Sequence, residues 1–187
     1  HTAMLLGAAE YLCETRNFDG DVLVIFQPAE EGGGGGKEMV DDGMMDKVMI
    51  KDVYGMHNLP GLPVGEFAIR PGALMAATDE FTITINGKGA HAAMPQQGID
   101  PIVTTSQIVT ALQTITSRNL NPFEPLVISV TKFHAGTAYN VIPDVAEIAG
   151  TIRSLSREAR DFALQRMDEI VNGIAGKVET NKEPTMG

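Results

Sequence analysis

Beyond residue 76 the apolar residues recur first at every second position, then at helical spacing, in the order β-α-β-β-α-β. That order is the one of a ferredoxin-like split βαβ module. Phe81, Ile83 and Ile85 alternate with Thr82, Thr84 and Asn86, so the first strand has one buried face, and Asn86-Gly87 turns the chain. Asp100-Pro101 reads as an N-cap followed by proline at the first helical position. The helix it starts runs to about Arg118 and buries Ile102, Val109, Leu112 and Ile115 or positions near them. Its threonines are poor helix formers, so packing must stabilise it. Leu126, Ile128 and Val130 mark the next strand, and a turn through Tyr139-Asn140 leads to another at about 144–153. There Ala146, Ile148 and Ile152 share a face and Arg153 lies on the other. Ser156 caps a helix with the stripe Ala159, Ala163, Met167, Ile170, Val171 and Ile174, and residues 177–183 complete the order as a fourth strand.

Residues 1–75 read differently, and a domain boundary is placed near residue 76, giving domains 1–75 and 76–187. A helix is expected over 2–15, with Thr2 as a possible N-cap and Cys13, the only cysteine, as a core thiol. The unbroken apolar run Val22–Phe26 predicts a strand buried on both faces of a helix-covered parallel sheet, stopped by Pro28. Glu30 and Glu31 follow at its C-terminal end, where open α/β sheets hold ligands. Neighbouring side chains on a strand point apart, so the two carboxylates can share a site only if the backbone has left strand geometry; Pro28 and Gly32 permit that. Such a pair suits metal-assisted hydrolysis, one carboxylate binding an ion and the other deprotonating water. On the pair alone, a solvated acidic turn capped by flexible glycines is the favoured reading. A phosphate loop does not, because Glu38 follows Lys37 where Ser or Thr is required. A short helix near 37–42 and a second strand over Asp52–His57 are expected, placing His57 at a strand end as a ligand or a hydrogen-bonded structural residue.

A formal charge of −10 with scattered Lys and Arg argues against nucleic acid and anionic membranes as partners. An apolar content of 43% supports a packed core. No 18-residue apolar run and no signal-peptide pattern occur, so the cytoplasm is the expected location.

Five ordered motifs carry a resemblance: His1-Thr-Ala-Met-Leu-Leu-Gly-Ala-Ala, Gln27-Pro-Ala-Glu-Glu-Gly-Gly, Gly55-Met-His-Asn-Leu-Pro, Gly87-Lys-Gly-Ala-His-Ala-Ala-Met-Pro and Asn140-Val-Ile-Pro-Asp. Together they resemble the M20 metallopeptidase family, and within it the amidohydrolase branch of hippurate hydrolases and plant auxin-conjugate hydrolases. The resemblance implies an α/β chain: part of a zinc-peptidase-like catalytic α/β domain plus a ferredoxin-like lid. It implies two divalent metal ions (Zn, Mn or Co), a small N-acyl amino acid as substrate and a homodimer formed through the lid. By the same resemblance Glu30 is the general base, Glu31 and His57 are metal ligands, and His91 supports the tetrahedral intermediate, often in a partner subunit's site. Asn140 and Arg153 hold the substrate carboxylate. His1 matches the last histidine of the family's Cys-Gly-His-Asp-Gly-His loop, a near-site residue and not a ligand. Cys13 does not match the metal cysteine. An internal fragment, inactive alone and binding little or no metal, is therefore expected. The alternative is a non-catalytic assembly module. His134 and Tyr139 are expected to be structural.

Overall fold

The structure is a computed structural model that describes residues 1–30, 34–176 and 180–183. It comprises two compact units, His1–Ile69 and Arg70–Gly187.

The first unit contains three helices: α1 (Thr2–Thr15), α2 (Gly35–Asp41) and α3 (Met44–Val48). Helix α1 forms where its spacing requires, but Thr2 is its first helical residue and not its cap; His1 holds the cap position without a side-chain bond. Arg16 closes the helix in the left-handed region, its N–H donating to the Leu12 carbonyl at 3.0 Å. No residue of α1 is buried, so Cys13 is an exposed thiol and not a core one. The strands expected over 21–27 and 52–57 do not form. An apolar run records what a sheet would bury, but the strand itself exists only where a neighbour takes up its N–H and C=O groups. Among the described residues none pairs with either segment, and Val22, Leu23 and Phe26 remain about half exposed. The glycine run has a packing role: a Cβ on Gly35 would lie 1.9 Å from the Pro28 carbonyl oxygen. Only glycine lets α2 start against that turn. Helix α2 covers the expected short helix, and α3 was not anticipated.

The second unit follows the expected order. Its elements are β1 (Ala77–Asn86), the short β2 (Ala90–His91), α4 (Pro101–Thr114), β3 (Leu126–Ala135), the short β4 (Val141–Ile142), β5 (Val145–Ser154), α5 (Arg157–Ala175) and β6 (Thr180–Glu183). The expected span of the last strand begins earlier, and residues 177–179 lie outside the described ones. Four strands form one antiparallel sheet in the order β3-β5-β1-β6, while β2 and β4 pair as a separate ribbon.

Register places Ile83 opposite Ile148 and Asp79 opposite Ile152, which aligns the inward phases of β1 and β5. Phe81, Ile83, Ile85, Ile128, Ile148 and Ile152 meet Ile108, Leu112 and Ile115 near α4 and Ala163, Met167 and Val171 of α5. Each fully buried Ile or Leu contributes about 1.5–3 kcal/mol. Ile102, expected inside, is 37% exposed, and Ile108, less than two turns on, is fully buried. The α4 hydroxyls bond back along the helix, Ser106 Oγ to Ile102 O at 2.8 Å and Thr110 Oγ1 to Ser106 O at 3.1 Å. Asp100 caps α4, its Oδ1 accepting from Ile102 N at 2.9 Å, and Ser156 caps α5, its Oγ accepting from Ala159 N at 3.1 Å.

Two features tie the sheet together. The register of β3 against β5 shifts between Val130 and Lys132, a bulge facing Gly150. A Cβ on Gly150 would lie 1.9 Å from the Ser129 carbonyl oxygen. Asp79, 4% exposed, accepts a two-pronged contact from Arg160: Nε to Oδ2 at 2.8 Å and Nη2 to Oδ1 at 2.5 Å. That hydrogen bonding, with the Asp79 charge, raises the Arg160 pKa above its ordinary value against the opposing effect of burial. The pair fastens α5 to β1.

Candidate functional site

Candidate residues occur in both units. In the first, Pro28 and Ala29 turn the chain, and Ala29 sits at φ 47°, a left-handed conformation uncommon for a residue with a Cβ. The backbone has therefore left strand geometry directly before Glu30, which is exposed. Glu31 lies outside the described residues.

His57 is exposed, and its Nδ1 lies 2.7 Å from the carbonyl oxygen of Asn58. A carbonyl only accepts, so in the neutral ring Nδ1 carries the proton and Nε2 the lone pair. Metal-binding histidines are commonly held in this way by a backbone carbonyl. The His1 ring stands edge-on to His57 with centroids 4.4 Å apart, and His1 Nε2 accepts from Asn58 N–H at 3.4 Å. His1 is thus beside His57. Among the described residues no three His, Cys, Asp or Glu side chains converge on one point. The donor chemistry of His57 nevertheless fits a divalent ion.

In the second unit the β2–β4 ribbon brings His91 and Asn140 together. His91 pairs with Val141, and Ala92 N–H donates to the Asn140 carbonyl at 2.9 Å. His91 Nδ1 accepts from Ala93 N–H at 3.1 Å, so in the neutral ring the proton sits on Nε2, free to donate outward. The ribbon is anchored by Asp144, whose carbonyl accepts from Gly87 N–H and whose Oδ1 accepts from Gly89 N–H, both at 2.7 Å. A Cβ on Gly87 would lie 2.4 Å from Ile99 O, and one on Gly89 2.9 Å from Asp144 Oδ1. Sequence reasoning quoted these glycines and Asp144 as motif members without seeing this anchoring role.

Arg153 is placed elsewhere. It lies near the far end of β5, separated from Val145 at the ribbon end by about 27 Å of strand. Its Nη1 donates to Thr78 Oγ1 across the β1–β5 ladder. Within one chain β5 therefore separates the two, Asn140 lying in the turn before β4 and Arg153 near the end of β5. His134 pairs in register with Glu147, both exposed, and Tyr139 is fully exposed in the turn before Asn140.

The second unit is a helix-backed antiparallel sheet with a histidine-bearing ribbon, and the model of the M20 family's Peptidase dimerisation domain matches residues 78–179. The chain belongs to the M20 peptidase family. It is 48% identical over 176 residues to the N-acyl-L-amino acid amidohydrolase of Geobacillus stearothermophilus, covering 93% of this chain and 47% of that protein. It is 42% identical over 175 residues to the hippurate hydrolase of Campylobacter jejuni, covering 94% and 45% respectively. Among solved structures, the YXEP protein of Bacillus subtilis, a dinuclear metal-binding peptidase of the M20 family, superposes with a TM-score of 0.76 at 37% identity, covering all of this chain and 47% of that one. The chain spans about half the length of the curated relatives it matches. Among the described residues no helix is long and apolar enough to cross a membrane.

Proposed function

We propose that this chain serves a metal-dependent amidohydrolase that cleaves the amide bond of N-acyl amino acids, giving a carboxylic acid and a free amino acid. The reading rests on one local observation in each unit: in the second, His91 is set by its own loop to donate from Nε2, and in the first, the ligand-type His57 has its Nδ1 engaged by a backbone carbonyl. Residues 1–75 are read as part of the catalytic domain and 76–187 as the lid. Glu31 and His57 would hold divalent metal, which when bound polarises the amide carbonyl and readies water. Glu30 takes a proton from the attacking water and returns it to the leaving amine. The Nε2–H of His91 donates to the oxygen that gains charge as the carbonyl carbon becomes tetrahedral. Asn140 hydrogen-bonds the substrate, and the Arg153 fork suits its carboxylate.

The separation of Arg153 from the ribbon fits a homodimer formed through the lid. In that arrangement His91 and Asn140 act in one active site while Arg153 acts in another. The relatives' family description as a dimerisation domain supports this reading, and the exposed Ile102 and Val103 on α4 offer apolar surface for it.

The metal-loaded protein carrying this chain, given benzoyl or acetyl amino acids, should release free amino acid in a chelator-sensitive way. Release that persists without metal, or none with it, would overturn the assignment. Glu31 and His57 are too few ligands for two ions, so the 187 residues alone are expected to show no turnover.

A further inference from the structure

The Asn58 peptide is held on both sides by imidazoles. Its carbonyl takes the His57 Nδ1–H at 2.7 Å, and its N–H is taken by His1 Nε2 at 3.4 Å. The two rings also touch edge to face, with centroids 4.4 Å apart and planes at 62°. His57 is hydrogen-bonded to the residue next to it, so its ring orientation depends on where that short stretch of backbone sits. In the described structure this stretch forms no strand, and both His57 and Asn58 are exposed. Contact with α1, through the residue at its N-cap, supplies an external hold.

We propose that His1 is a positioning residue: by accepting the Asn58 N–H and bracing the His57 ring, it keeps His57 in the Nδ1–H form with Nε2 bare for a divalent cation. This rests on reading His57 as a ligand. Which imidazole nitrogen carries the proton is set by the hydrogen bond the other nitrogen or its partner makes, and an orienting partner outside the ligand set is typically worth about 10–100-fold in metal affinity. His1 contributes an acceptor and a ring edge without giving its own nitrogen to the ion, because that nitrogen is already engaged by the Asn58 N–H.

The test uses the protein that carries this chain, metal-free at pH 8, with nitrogen NMR reading the tautomer of His57, followed by zinc titration observed at the His57 ring protons. The wild type should show the Nδ1–H form. His1→Ala, and His1→Phe which keeps an aromatic edge but no acceptor, should move His57 toward the Nε2–H form and raise the zinc dissociation constant about tenfold. His1→Gln, whose side-chain oxygen can accept from Asn58 but is a poor zinc ligand, should restore the tautomer. A His57 tautomer unchanged in both His1→Ala and His1→Phe would overturn the positioning role while leaving the ligand reading intact. Zinc affinity unchanged in His57→Ala would overturn the ligand reading itself and the proposal with it.

Discussion

Breaking the Asp79–Arg160 contact should destabilise the second unit unequally depending on which partner is removed. The Asp79 side chain is 5% exposed and that of Arg160 28%, so the two residues leave different orphans behind. Arg160→Met strands a carboxylate with almost no access to water, at a cost of about 3–5 kcal/mol. Asp79→Asn leaves a guanidinium that can turn toward solvent and still donate to the amide oxygen, at a cost of about 1–3 kcal/mol. For a module of this size about 1 kcal/mol corresponds to roughly 4 °C, so Arg160→Met should lower its melting temperature by roughly 12–20 °C. Replacing both, as Asp79→Leu with Arg160→Met, should recover most of the loss, because a buried ion pair exchanged for apolar groups is often neutral. Urea unfolding followed at the β1 and β5 amides would read this unit alone. Equal costs for the two single variants, or Asp79→Asn costing more than Arg160→Met, would refute the reasoning.

Gly150→Ala should cost about 3 kcal/mol or more, since the new methyl meets a backbone carbonyl at 1.9 Å that cannot retreat without breaking the β3–β5 ladder; a neutral result in the same urea experiment would contradict the close approach. Asp144→Ala should speed hydrogen exchange at Gly89, whose N–H loses its acceptor, while leaving α5 protected, and unchanged exchange would show that the carboxylate does not hold the ribbon.

The second unit was legible because its signals are local. Alternation at Phe81, Ile83 and Ile85, the caps Asp100 and Ser156, and the stripe of α5 each need only a few neighbouring residues to be read. Asp79 was missed, although it shares the inward phase of Phe81 and Ile83 and so stands as a charge at a core position. Its partner is 81 residues away, a distance at which periodicity is silent. The run Val22–Phe26 shows the converse error. Its composition reports burial in a sheet, but no described strand lies beside it, so no ladder forms. Motif reading grouped Asn140 with Arg153, and the length of β5 that separates them within one chain could not be read from the motifs. His91 was singled out by its motif, whereas the tautomer that leaves its Nε2–H to donate required the Ala93 hydrogen bond.

The division of labour proposed for the adjacent glutamates gives the most direct test of the proposed metal-dependent hydrolysis. In the metal-loaded enzyme that carries it, metal content and kcat on benzoyl glycine would be measured for Glu30→Gln and Glu31→Ala. Glu30→Gln is expected to keep its metal and substrate binding while kcat falls by about 10² or more, the loss typical of a general base. Glu31→Ala is expected to lose metal. A Glu30→Gln enzyme depleted of metal beside a metal-replete Glu31→Ala enzyme would contradict the assignment.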